Sequence, residues 1–242
     1  VVDEQGRRER FLRSQWDPAA SEVSAAWQQK RRLAAAMRLV IERLVASNAP
    51  EDELRRAADQ LERYAEHLAS HPRLRHFQGY AESANAGDVG AFFDQSPLIG
   101  LANPLAPPIR LAKTGERSAE GRVRFGSAYE GPPGCVHGGF VAAAFDEVLG
   151  FTQSLGGSPG FTGTLTVRYR VPTPLHTELR FEGRIDRVEG RKTFASGSVF
   201  ADALLCAESE AIFISARPEK FQSLLEQRAR WESERAGPDE RG

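Results

Sequence analysis

At 242 residues the chain has room for one ordinary domain with an extension, or for two small ones. Its formal net charge of −1, with both signs interspersed, excludes a global field that would draw it to nucleic acid or to an anionic membrane. No apolar run approaches the roughly 20 residues a membrane-spanning helix requires, and two cysteines, Cys135 and Cys206, cannot build a disulfide framework and fit a reduced, cytoplasmic setting.

Residues 1–16 are polar and Arg-rich, with Phe11, Leu12 and Trp16 as scattered apolar anchors. Glu4 and Glu9 speak against a transit peptide, which would be poor in acids, and no secretory signal is visible. The sequence begins at Val1 rather than Met, which allows for residues upstream. Asp17-Pro18 is a good helix cap and first-turn pair. Trp27, Leu33, Ala34, Met37, Val40, Ile41 and Leu44 then recur at helical spacing and predict an amphipathic stripe facing a core. Pro50 opens a second helix, with acids in its first turn and Leu54, Ala58, Leu61, Ala65 and Leu68 along a heptad-like seam. The short link predicts a helical hairpin, a candidate partner-binding arm, lid or dimer brace. His67 and His71 could share a face, but with His76 beyond Pro72 and no carboxylate or Cys completing a set, no metal site is expected.

The Gly, Ser and Asn residues between Gly79 and Gly90 read as a linker. They divide the chain into an N-terminal extension, residues 1–90, a main domain, 91–217, and a polar tail, 218–242. Phe92, Phe93, Leu98, Ile99, Leu101, Leu105 and Ile109, interrupted by four prolines, predict an irregular apolar strap across the main domain. Strands are expected at 109–113 and 121–127.

From Tyr129 to Phe151 the chain reads Y-E-G-P-P-G-C-V-H-G-G-F-V-A-A-A-F-D-E-V-L-G-F. The Gly-Pro-Pro-Gly run forces a turn, and His137-Gly138-Gly139 opens a helix that is apolar on nearly every face and hence buried. The two glycines let a ligand approach first-turn N–H groups that lack intrahelical partners, at the positive end of the helix dipole. Such a start suits a carbonyl oxygen that gains negative charge during a reaction. Asp146 and Glu147 inside this helix need a reason, since buried carboxylates are paired or functional. Cys135 has no base beside it in sequence and is not favoured as a nucleophile. Four strand-like runs follow, 162–171, 178–188, 191–201 and 204–215, joined by short turns. Together they predict an α+β architecture, an antiparallel sheet curled around one buried helix.

This arrangement resembles the hot-dog fold thioesterase superfamily, and within it the PaaI-like acyl-CoA thioesterases and related mammalian members. The resemblance covers about residues 95 to 216 and rests on G-P-P-G-C-V-H-G-G followed by F-D-E. Asp146 stands nine positions after His137, and Thr162 sixteen after Asp146. T-L-T-V-R-Y-R-V-P-T-P-L and E-G-R-K-T add to it; the helical extension lies outside the minimal pattern.

The resemblance implies hydrolysis of acyl-CoA by a homodimer or homotetramer with shared sites, and no cofactor. In that reading the Gly139 N–H, with Gly138, polarises the thioester carbonyl. Asp146 is the general base or the nucleophile, Thr162 orients the water, and His137 positions loop or substrate. Glu147 is the alternative carboxylate. Arg168, Arg170, Arg187, Arg191 and Lys192 are candidates for the CoA phosphates. The rivals are a hot-dog hydratase or dehydratase and a non-catalytic acyl-CoA sensor with the helical hairpin as effector arm.

Overall fold

In the computed structural model, which describes residues 24–71, 94–156 and 160–215 together with Gln227 and Arg230, one antiparallel sheet of six strands wraps a single helix. Its strands are β1 (Arg110–Gly115), β2 (Ser118–Arg124), β3 (Gly160–Tyr169), β4 (Glu178–Glu189), β5 (Lys192–Ala201) and β6 (Leu204–Ser215). Their order is β1-β2-β4-β5-β6-β3, so β3, which follows the helix, returns to a sheet edge. Two N-terminal helices precede the sheet, α1 (Ala25–Val45) and α2 (Glu51–Ala69). The wrapped helix, α3 (Gly138–Ser154), packs against all six strands. Val141, Ala144, Phe145, Val148 and Leu149 are buried there, each larger side chain contributing about 1.5–3 kcal/mol by leaving water. Gly183 lets the helix settle close to the sheet, since a Cβ on it would stand 2.5 Å from the Thr152 hydroxyl. The expected curled sheet is therefore present, with strand ends within a few residues of those read from alternation.

Residues 94–109 form the expected irregular strap, with Ile99, Ala102, Ala106 and Ile109 buried. The Asp17-Pro18 cap, the 79–90 linker with its boundary near residue 90, Phe92 and Phe93 lie outside the described residues, as does the tail apart from Gln227 and Arg230. Among the described residues α1 starts at Ala25, where the Ser24 hydroxyl accepts from the Trp27 N–H. No helix among them is long and apolar enough to cross a membrane.

Helix α1 corrects one expectation. It docks on the 94–109 strap and the Ser127 turn through a mostly polar stripe, whereas Met37, Val40, Ile41 and Leu44 of the predicted apolar stripe stay exposed. Asp94, fully buried, accepts from the Trp27 indole N–H and the Arg31 guanidinium, both at 2.6 Å. Arg38 donates to the carbonyls of Leu101 and Asn103. Glu42 accepts from the N–H groups of Ser127 and Ala128. The Ser127 N–H bond is the main cause that holds its carboxyl below the usual range. Helix α2 has no buried residue, and its Leu54, Leu61 and Leu68 seam faces solvent within one chain. Asp94→Ala should cost about 3 kcal/mol, because it removes the buried carboxylate to which both the Trp27 indole and the Arg31 guanidinium donate. Urea unfolding measures the loss, and faster hydrogen exchange along α1 should accompany it. A change below about 0.5 kcal/mol would mean that the helix is held elsewhere.

Candidate active site

The start of α3 is built by a loop that leaves little freedom. A 3-10 turn at Ser127–Tyr129 leads into it, and its Tyr129 carbonyl accepts from the His137 N–H at 2.9 Å. The Cys135 N–H donates to Pro132 and the Gly131 N–H to Cys135, closing a tight turn. Gly134 sits in the left-handed region at φ 73°, where a glycine is favoured. Its N–H donates to the Glu130 carboxylate at 2.6 Å. Val136 is buried and donates its N–H to Thr173. Under the helix start, Tyr129 and Phe140 meet edge to face with ring centres 4.9 Å apart, and Phe125 closes the cluster. The turn before a His-Gly-Gly start stands where it was predicted.

His137 is the helix cap. Its Nδ1 accepts from the Gly139 N–H at 3.0 Å, so that nitrogen carries no proton. The Gly138 N–H makes no hydrogen bond among the described residues. His137 and Gly139 are exposed and Gly138 half-buried, so the first turn is open to a ligand. The Tyr169 hydroxyl, on β3, donates to the Gly138 carbonyl at 2.7 Å.

Farther along the helix, the Thr162 hydroxyl of β3 donates to Asp146 Oδ1 at 2.7 Å. Two residues sixteen apart in sequence thus meet through a helix and the sheet edge beside it. Asp146 and Glu147 are both half-buried, and successive helical positions turn them about 100° apart. Burial first, and the Asp146 charge second, push the Glu147 carboxyl up to about 7. Because this lies above the ordinary value of 4.5, the folded chain resists ionisation. The stability associated with the neutral form is complete below about pH 4.5 and is lost as the pH rises through about 7. Glu147→Gln should therefore stabilise the protein by about 1–3 kcal/mol at pH 8 and change little at pH 4.5. Thermal melts at both pH values check this; equal shifts at both would remove the ionisation as the cause.

The basic candidates divide. Arg168 stands on the outer face of the sheet, paired with Glu210 at 2.8 Å, away from α3. Its separation from Thr162 is an even number of residues, which in a regular strand means one face. A bulge between Thr162 and Thr164 reverses that relation. Arg170 and Arg187 are likewise engaged, with Glu208 and Glu189. Arg191 and Lys192 are exposed at the β4–β5 turn and have no carboxylate within ion-pair distance among the described residues. Lys192 pairs with Ile214, next to the Phe213 that pairs with Thr162, so this turn lies at the Thr162 end of the sheet. Cys135 is half-exposed, with its thiol directed to the Pro133 carbonyl. His67 of α2 and His71, just past the end of that helix, meet edge to face with ring centres 4.9 Å apart, and no group of three or more metal-binding side chains occurs among the described residues.

Tyr169 and Glu42 were not singled out in the sequence. Tyr169 sits in an alternating strand where its ring reads as ordinary strand composition, and Glu42 belongs to a helix whose apolar stripe pointed elsewhere.

An antiparallel sheet curled around a helix that opens on His-Gly-Gly defines the hot-dog architecture. The thioesterase superfamily matches residues 133–206. The crystal structure of a thioesterase superfamily protein shares 33% identity, covers 76% of this chain and 94% of its own, and superposes with a TM-score of 0.68. The chain belongs to the thioesterase superfamily. Acyl-coenzyme A thioesterase THEM4 of Xenopus laevis is 35% identical over 95 residues, 38% of this chain and 43% of that protein. Acyl-coenzyme A thioesterase THEM5 of Homo sapiens is 31% identical over 97 residues, 39% of each chain. The match thus spans about two fifths of the length of these curated relatives.

Proposed function

We propose that the chain hydrolyses acyl-CoA thioesters to a free acid and CoA, at a site assembled from two copies. The observation that carries this reading is the 2.7 Å bond from Thr162 to Asp146 on the helix whose exposed start is His137-Gly138-Gly139. Relatives named acyl-coenzyme A thioesterase share part of the chain and support the substrate class.

Asp146 follows Gly139 by seven residues, about 10.5 Å of helix rise. One chain's Gly139 N–H and its own Asp146 cannot both address one thioester carbonyl. Strand β3, which carries Thr162, is a sheet edge, and Phe161 and Tyr169 on it are exposed. An unpaired edge is a template for another strand. Pairing of two copies about a two-fold axis brings the helix start of one chain to the Asp146 of the other, twice per dimer. The apolar residues left exposed on α1 and α2 favour an assembled form as well. A homodimer is the smallest assembly that satisfies the site, and a homotetramer would contain two of them.

In the reaction, the Gly139 N–H, helped by Gly138, donates to the thioester oxygen in place of the His137 imidazole. Thr162 holds Asp146 Oδ1, which leaves Oδ2 to take a proton from water. The resulting hydroxide adds to the carbonyl carbon, and the electron pair of the C=O bond moves onto the oxygen, where the helix start stabilises it. Collapse of this intermediate breaks the C–S bond, and the proton on Asp146 passes to the departing thiolate. Arg191 and Lys192 are suited to the phosphates of CoA, while Glu147, about 100° round the helix from Asp146, is the alternative carboxylate. No cofactor enters.

Acetyl-, octanoyl-, palmitoyl- and phenylacetyl-CoA, each mixed with the protein and a thiol reagent, test the proposal. Release of free CoA above the uncatalysed rate is expected for at least one. Saturable binding of acyl-CoA without any release would replace the enzyme by a non-catalytic sensor.

A further inference from the structure

We infer that Tyr169 is a positioning residue that aims the Gly139 N–H at the substrate carbonyl. This rests on the proposed hydrolysis and adds to it a residue outside the His-Gly-Gly start and the Asp146–Thr162 pair.

The Gly138 carbonyl and the Gly139 N–H belong to one peptide unit, which is planar, with the two groups pointing in opposite directions. Fixing the oxygen therefore fixes the direction of the N–H. The oxygen is held by the Tyr169 hydroxyl at 2.7 Å, from the sheet side. The N–H is held by His137 Nδ1 at 3.0 Å, from the open side. Substrate must displace the imidazole to reach the N–H, and at that moment Tyr169 becomes the side chain that still grips the unit. A Cβ on Gly138 would lie 3.2 to 3.5 Å from three atoms of the Tyr169 ring end, so the phenol lies directly on the first turn. The helix ladder also engages the Gly138 carbonyl, from the Ala142 N–H, and the phenol is a second hold on a peptide that the two flanking glycines leave loose at the frayed helix start. The hydroxyl also polarises the peptide, since donation to a carbonyl strengthens the N–H of the same amide as a donor. Tyr169 is about half exposed, 53%, so packing alone gives no strong reason for a phenol there.

Tyr169→Phe removes only the hydroxyl. With the most rapidly hydrolysed member of the acyl-CoA panel, kcat should fall about 10- to 30-fold with KM within about twofold, a fraction of what losing an oxyanion donor outright costs. The melting temperature should not change by more than a degree or two. A second measurement reads the aim of the donor itself. The same acyl-CoA, carrying 13C at its thioester carbonyl, is bound to Asp146→Asn so that it is not consumed. The infrared band of that carbonyl should move to lower frequency on binding, and most of the shift should vanish in the Asp146→Asn, Tyr169→Phe double variant. If wild type hydrolyses acyl-CoA but Tyr169→Phe keeps full kcat and an unchanged carbonyl band, the positioning role is wrong and the proposed function stands. If wild type hydrolyses no acyl-CoA, both fall together.

Discussion

Asp146→Asn should lower the rate of acyl-CoA hydrolysis at least about a hundredfold, the usual cost of removing a general base. Asparagine keeps the volume of the side chain and can still accept from the Thr162 hydroxyl that lies 2.7 Å from Oδ1, so the helix, the sheet edge and acyl-CoA binding should survive. What disappears is the second carboxylate oxygen as a proton acceptor. Glu147→Gln is the control. The two carboxylates are adjacent in sequence but leave the helix about 100° apart, and the Thr162 bond selects Asp146. The Gln variant should lose no more than a fewfold in rate, and its stability should rise above pH 7. An inactive Gln variant beside an active Asn variant would transfer the role to Glu147. Full activity in both would remove this helix from the chemistry.

Gly139→Pro should cost about 100- to 1,000-fold in kcat, the range for loss of one oxyanion donor. Proline lacks the N–H, yet it is tolerated in a helix's first turn, where that N–H has no intrahelical partner. Among the described residues the N–H meets only the His137 imidazole, so the substitution removes the donor while leaving the ladder of α3 intact. Circular dichroism should be unchanged and KM should move little. A Pro variant with wild-type kcat would show that the thioester oxygen is held elsewhere.

The parts of this architecture that were legible in the sequence are those set by local periodicity and special backbone chemistry. The apolar run through Phe145 and Leu149 announced a buried helix, and the turn before His137 was announced by residues that cannot continue a strand. Alternation placed the strands, and Thr162 was reached through the spacing of a resembled family rather than through physics. The remainder depended on tertiary relations. Helix α1 buries its polar stripe because Asp94, the carbonyls of Leu101 and Asn103, and the Ser127 turn present polar partners to it; a hydrophobic pattern carries no record of them. Arg168 and Thr162 fall on opposite faces because of a single extra residue at Gly163, and period-two reasoning has no means to see it. The grip of Tyr169 on Gly138 links a strand edge to a helix start, 31 residues apart.

Mixed dimers test most directly the proposal that one active site is made from two chains. Co-expression of Asp146→Asn and Gly139→Pro under two affinity tags, with tandem purification, isolates dimers that carry one of each. Each variant alone should be nearly inactive. In the mixed dimer one site inherits both lesions and the other inherits neither, so about half of the wild-type activity should return. Mixed dimers as inactive as their parents, with both parents folded, would contradict the shared site.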